Sequence, residues 1–367
     1  MDVRKKIMFV MPSLTGGGAE RVMLTLINHI DKSKFIPIFV LTNKEGRFLK
    51  VLKTLPKDVE IIDLDTKQAR YAIFKIAKVI KEIKPDIVFS TLGHLNLLMA
   101  MIRPFFSREI KFISRESNTV SVENKQEKYP KLFDWLFKNV YNNFDLIITQ
   151  SKYMRDDLIE NFGTKKEKIA VIYNPVDIDN VQNKAQESVK NLYDNSKINL
   201  VAAGRLAPQK GFDILVESMK YLDDKYHVTI LGEGDDKEEL EALIKTHKVE
   251  DKVTLAGFQH NPYVYMDKAD FFVLSSRYEG LPNVILESNV CGTPSVAFTS
   301  PGGTAEIIKD GETGVLVREF DAKSFADGVK KAVEIEFDSK KIENFCKTNF
   351  NVEKIVKEYE NNFLASS

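Results

Sequence analysis

The chain has 367 residues, 43% hydrophobic and 29% charged, with 53 Lys/Arg balanced by 53 Asp/Glu. It is too long for one ordinary core, so about two domains are expected, and the composition is that of a soluble globular protein. The zero net charge hides an asymmetry, because residues 1–175 carry 30 Lys/Arg against 20 Asp/Glu and residues 176–367 carry 23 against 33. A basic first half points to an anionic partner there, acidic lipid or a phosphate-bearing acceptor rather than nucleic acid; the alternative is two solvated surfaces of opposite sign.

The chain opens Met1-Asp-Val-Arg-Lys-Lys-Ile7 and leads straight into a strand, without the apolar region or cleavage site of a leader. No apolar run reaches the ~20 residues that span a bilayer, so the expected location is cytoplasmic, with peripheral contact to the inner face of the plasma membrane. Strands are predicted at 7–11, 36–41, 60–62, 87–90, 111–114, 146–149 and 169–172, with amphipathic helices at 19–29, 71–83, 95–102, 131–140 and 153–161 between them. The same grammar restarts with strands at 199–203, 228–231, 253–256, 271–274, 295–298 and 314–317 and helices at 212–220, 237–245 and 284–291. The polar stretch 174–195 reads as a linker plus a small helix. The segment 351–363 is amphipathic with no strand to follow, which predicts a terminal helix. Buried apolar strands separated by helices indicate two parallel, doubly wound, Rossmann-like α/β domains, with ligands beyond the carboxyl ends of the strands and a cleft between the domains.

The informative residues lie just after those strands. After the first comes Pro12-Ser-Leu-Thr-Gly16-Gly17-Gly18-Ala-Glu20-Arg21, a glycine-rich turn opening a helix, where backbone N–H groups can approach a phosphate. A dinucleotide fingerprint fits it poorly, since Arg21 takes the third glycine position and the second strand ends in Leu41-Thr42-Asn43 without an acid for a ribose. The alternative is a structural tight turn. After the strand at 199–203 comes Gly204-Arg205-Leu-Ala-Pro-Gln-Lys210-Gly211, two cations near one strand end that can neutralise a diphosphate without a metal. Gly232, in Leu231-Gly-Glu-Gly, and Gly257-Phe258 follow the next two strands and leave room for a base or ribose, or are ordinary turns.

The segment Arg277-Tyr-Glu-Gly-Leu-Pro-Asn-Val-Ile-Leu-Glu287 says most. It places Glu279 in a loop, Leu281, Pro282 and Asn283 at a helix start with Pro282 in the first turn, and Glu287 in the second turn. The N–H groups of a helix start bind anions, so a phosphate seat is flanked by two acceptors for hydroxyls, as a nucleotide-sugar demands. A second glycine loop, Ser300-Pro-Gly-Gly-Thr-Ala-Glu306, opens the next helix. No histidine pair has metal-ligand spacing, and Asp63-x-Asp65 and Asp177-x-Asp179 lie away from these glycines and read as structural. His94 follows the strand at 87–90 and either faces the cleft or is a turn residue. Cys291 and Cys346 fit neither a metal site nor a disulfide framework and read as reduced.

In order, the glycine loop with Ala19-Glu20-Arg21, Gly204-Arg205-x4-Lys210-Gly211, Gly232-Glu-Gly234, Gly257-Phe258 and Glu279-x7-Glu287 resemble the retaining glycosyltransferases of family 4, which have the GT-B fold. The similarity is greatest to bacterial enzymes that extend undecaprenyl-diphosphate-linked glycans, O-antigens or capsules. The resemblance implies that residues 1–175 bind the acceptor and residues 176–350 bind the donor, with 351–367 crossing back to the first domain. It implies Arg205 and Lys210 on the donor diphosphate, Glu287 on the ribose, Glu279 on the transferred sugar, and the Gly16–Gly18 loop near the diphosphate and acceptor. The donor is a nucleotide-sugar, UDP-linked for preference, and no metal or other cofactor is required. The acceptor is a polyprenyl-diphosphate-linked or other glycan. One departure is Ser114-Arg-Glu116-Ser117, where many relatives carry a His; Glu116 stands in its place as a candidate contact for a sugar hydroxyl. A soluble-acceptor synthase of the sucrose-phosphate type would share every donor motif. A GT-B epimerase would want a stronger acid/base set, and a sugar-binding module would not need Arg205 and Lys210.

Overall fold

In the computed structural model the described residues are 4–365 except 15, 46–51, 54, 67–68 and 190–191. The start at Met1–Val3, Thr15 of the glycine loop and two residues of the polar linker thus lie outside them. The chain divides into two compact units: Met1–Pro175 with Val352–Ser367, and Val176–Asn351.

In the first unit, strands β1 (Lys5–Met11), β2 (Phe35–Leu41), β3 (Glu60–Asp63), β4 (Ile87–Thr91), β5 (Lys111–Arg115), β6 (Leu146–Thr149) and β7 (Ile169–Val171) form one parallel sheet in the order β3-β2-β1-β4-β5-β6-β7. Helices α1 (Gly18–His29), α2 (Ala69–Ile83), α3 (Gly93–Ile102), α4 (Val120–Asn124), α5 (Pro130–Val140) and α6 (Lys152–Phe162) connect them. The near-continuous apolar run of β1 is buried on both faces, as a covered parallel sheet requires. Ile7, Phe9 and Met11 enter the core under α1, while Met8 and Val10 enter the opposite core with Ile76, Leu97 and Phe137.

The second unit holds α7 (Ile178–Ala185), α8 (Phe212–Ser218), α9 (Lys237–His247), α10 (Tyr263–Lys268), α11 (Asn283–Val290), α12 (Thr304–Ile307), α13 (Ala322–Val333) and α14 (Ser339–Phe350). Its strands β8 (Ile198–Ala203), β9 (Tyr226–Leu231), β10 (Val253–Gly257), β11 (Phe271–Leu274), β12 (Ser295–Phe298) and β13 (Gly314–Val317) run parallel in the order β10-β9-β8-β11-β12-β13. Helix α15 (Val352–Leu364) returns to the first unit. Val352, Ile355, Val356, Tyr359 and Phe363 recur at helical spacing and bury against the α1 side, with Phe363 edge-on to Phe89 at 5.3 Å. Burial of each is worth about 2 kcal/mol.

Strand order reverses between β1 and β4 in one unit and between β8 and β11 in the other. Loops leaving those strands cannot cover one another, so a crevice opens at each reversal. Among the described residues, no helix is long and apolar enough to cross a membrane.

Candidate functional site

At the β8/β11 reversal, Pro208–Lys210 makes a single 3-10 turn after β8 and ends at Gly211, where φ is +61°. A Cβ there would sit 2.2 Å from Ser275 O, so the turn lies directly on the chain leaving β11. Ser275 Oγ donates to Lys210 O at 3.0 Å, Arg277 N–H to Gln209 O at 2.8 Å, and Gln209 Nε2 to Tyr278 O at 3.1 Å. Arg277 also grips Asp213 with two bonds, 2.8 and 2.6 Å, and Pro208 O at 2.7 Å. Burial alone would raise the Asp213 carboxyl, but Arg277 holds it below its ordinary value. On the far side Glu279 N–H donates to Pro301 O at 2.9 Å and Gly303 N–H to Gly280 O at 2.7 Å. Gly302, at φ +124°, passes so close that a Cβ would lie 1.9 Å from Glu279 O. Three loops thus form one knitted rim, with the loop 275–280 in the middle.

This rim brings together most of the residues singled out in the sequence of this unit. Lys210 Nζ donates to Glu279 Oε1 at 2.6 Å, and the buried Ser276 Oγ donates to the same oxygen at 2.7 Å. Arg205 is exposed, and no ion pair or hydrogen bond engages it among the described residues. Gly204 N–H donates to Leu231 O and Gly232 N–H to Gly257 O, so Gly204, Gly232 and Gly257 end adjacent strands in one row. Phe258 projects beyond that row, edge-on to His260 at 5.1 Å. Leu281 is buried, Asn283 is the first residue of α11, and Glu287 is buried in its second turn. Pro282 corrects the expectation: it is the extended N-cap, not a first-turn residue. The helix runs Asn283–Val290, one residue earlier at each end than the predicted 284–291. Ser276 and the Arg277–Asp213 clasp were not anticipated. Arg277 stands inside the quoted motif, but a carboxylate partner 64 positions earlier leaves no local signal.

In the first unit the polar groups turn inward. Gly17 caps α1, Gly18 begins it, and the N–H groups of Gly16 and Gly17 both donate to Glu20 Oε2, the former at 2.5 Å. The seat expected to meet a phosphate is therefore held by the chain's own carboxylate. Glu116, the candidate contact for a sugar hydroxyl, is buried. Its Oε1 accepts from Asn96 Nδ2 at 2.8 Å and from Tyr141 Oη, and desolvation pushes its pKa up to about 8. His94 stacks on Phe133, centroids 5.0 Å apart, with Glu127 at 2.9 Å from Nε2. Arg115 is fully buried and donates to Tyr359 Oη of α15, to Thr91 Oγ1 and, at 2.6 Å, to Asn174 Oδ1. No cluster of three or more metal-ligating side chains occurs among the described residues.

Chemically, the second-unit rim offers two cations at one strand end, a buried glutamate aligned by a lysine and a serine, and a helix start beyond. That arrangement can hold a diphosphate and meet sugar hydroxyls. Residues 16–180 match Glycosyltransferase Family 4 and residues 183–349 match Glycosyl transferases group 1. The chain is 31% identical over 353 residues, 94% of each chain, to the N-acetylgalactosamine-N,N'-diacetylbacillosaminyl-diphospho-undecaprenol 4-alpha-N-acetylgalactosaminyltransferase of Campylobacter jejuni. The fold matches that of Anabaena Alr3699/HepE in complex with UDP (TM-score 0.82, 20% identity, covering 97% of this chain and 99% of that one). It also matches sucrose-phosphate synthase from Thermosynechococcus elongatus (TM-score 0.80, 18% identity, 99% and 100%). The chain is a GT-B glycosyltransferase and belongs to the family 4, group 1 glycosyltransferases.

Proposed function

We propose that the enzyme transfers a hexose or N-acetylhexosamine from a UDP-sugar to a polyprenyl-diphosphate-linked glycan, with retention at the anomeric carbon, in the assembly of a bacterial surface polysaccharide or glycan. The supporting observation is the rim at the β8/β11 reversal, where Arg205 and Lys210 leave one strand and the Glu279–Glu287 segment leaves the other. The family and the lipid-linked acceptor named for the Campylobacter jejuni relative support the substrate class.

Cleavage of a sugar–phosphate bond puts negative charge on the diphosphate and positive character on the sugar. Catalysis then consists of stabilising the leaving group with charges already in place. Arg205 and Lys210 take that role, and one such donor is worth about 3 kcal/mol of barrier. Glu279, freed from Lys210 when the diphosphate arrives, accepts from hydroxyls of the transferred sugar, and Glu287 from the ribose. The Gly16–Gly18 loop meets the acceptor side once Glu20 is displaced. The positive charge comes from side chains, so no metal is needed. The enzyme works in peripheral contact with the membrane that carries its acceptor.

The test is release of UDP from UDP-sugars on adding lipid-linked acceptor, with product partition into organic solvent and anomeric configuration by NMR. Release only with soluble sugars or sugar phosphates would move the enzyme to the synthase class. An inverted product would remove retention.

A further inference from the structure

Helix α5 buries one face and leaves the other bare. Phe133, Leu136, Phe137 and Val140 pack into the core with the sheet. On the opposite side Leu132 and Trp135 are 52% and 59% exposed, beside exposed Lys128, Lys131 and Lys138. Neighbouring elements carry further exposed aromatic side chains. Helix α3 packs on α5 and runs into the turn Arg103–Phe105, where Phe105 is 81% exposed. Helix α2 packs on α3 and leaves Phe74 83% exposed.

No acid on α5 answers its lysines: Asp134, the one acid on that helix, accepts from Asn124 Nδ2 at 2.8 Å. Arg103, two residues before Phe105, is buried and paired with Asp145 at 2.9 and 3.0 Å. The positive charge at this surface therefore comes from the lysines.

Large apolar side chains massed in water mark a surface that something covers. An indole amid lysines suits a membrane–water boundary, with the ring at headgroup level and the ammonium groups among lipid phosphates. A second copy paired about a two-fold axis would set the same lysines against each other. We infer that the bare face of α5 docks on an anionic lipid bilayer, seating Leu132 and Trp135 at the acyl boundary. This inference rests on the proposed lipid-linked acceptor, which such a bilayer would present.

Trp135 is the only tryptophan in the chain, so its emission reports this surface alone. The full-length protein is titrated, without donor or acceptor, with vesicles of phosphatidylglycerol and phosphatidylcholine and with vesicles of phosphatidylcholine only. The expected result is a blue shift with the anionic vesicles, none with the neutral ones, and reversal between ~0.1 M and ~1 M salt as the screening length falls. Each lysine should contribute roughly fivefold to partitioning. Lys128→Gln, Lys131→Gln and Lys138→Gln combined should then weaken co-sedimentation on the order of a hundredfold, with the circular dichroism spectrum unchanged.

An absent shift with anionic vesicles, or a triple variant that binds like the parent, overturns the inference. A blue shift that grows with protein concentration in the absence of lipid names a second copy as the occupant and also overturns it. Transfer to lipid-linked acceptor in detergent is measured separately. Transfer without vesicle binding sinks the surface and leaves the acceptor class standing; vesicle binding without transfer does the reverse.

Discussion

The two units share one strand order over six strands, the first adding β7 at its edge, but treat the crevice at the reversal in opposite ways. In the second unit, loops from β8, β11 and β12 are tied to one another through Gly211, Arg277 and Gly302, and they keep Arg205 and Lys210 at the rim. In the first unit, Glu20 closes the glycine loop, Glu116 is buried against Asn96 and Tyr141, and Arg115 ties Asn174 to α15. The difference matches the division of labour proposed here. A nucleoside diphosphate is the same object in every catalytic cycle and rewards a preformed seat. In the proposed reading, the acceptor meets the Gly16–Gly18 loop once Glu20 is displaced.

The largest expected effects break the second-unit seat. Lys210→Ala and Arg205→Ala should each lower turnover by about 10²- to 10³-fold, about 3 to 4 kcal/mol, with the thermal midpoint nearly unchanged; near-normal steady-state rates would remove their leaving-group role. Gly302→Ala should be as severe by another route, since the new Cβ would force the Glu279 backbone aside. Its signature is loss of UDP affinity by calorimetry in a protein that still folds.

The next effect belongs to the first unit. Burial holds Glu116 at about 8 against an ordinary 4.5, so the native chain keeps a proton that the unfolded chain loses. The resulting stabilisation is full below about pH 4.5 and is lost as pH rises toward about 8. Glu116→Gln should flatten that part of the pH–stability curve, a change of up to a few kcal/mol, in urea melts across the range; an unchanged curve would show that Glu116 is ionised in the native state.

Smaller effects sharpen the contrast. Asp213→Asn should loosen the clasp on Arg277 and cost roughly tenfold in kcat/KM, because rim order rather than ligand contact is lost. Ser276→Ala removes one hydrogen bond to Glu279, worth about 1 kcal/mol or roughly fivefold in kcat, and Ser276→Thr should restore most of it.

The strands were legible because each is an apolar run bounded by Gly, Pro or polar residues, and all thirteen stand within a residue or two of the predicted spans. Helices α13 and α14 were not anticipated. Their apolar stripes are diluted by Lys, Asn and Asp, although the caps Asp321 and Asp338, each accepting backbone N–H bonds, were a usable signal. The clustering of Lys210 with Glu279 follows from the parallel topology, which delivers both strand ends to one edge. The inward turn of Glu20 and Glu116 was not legible, since a carboxylate near a strand end reads alike whether it meets solvent, ligand or its own backbone. Nor was Leu92, at φ +79° just before α3, a conformation that costs a non-glycine residue of order 1–3 kcal/mol.

The most direct measurement is a crystal structure of the chain with UDP. The account expects diphosphate oxygens within hydrogen-bond distance of Arg205 and Lys210, the ribose against Glu287, and the Lys210–Glu279 bond released. UDP bound at the Gly16–Gly18 loop instead, with the β8/β11 crevice empty, would contradict it.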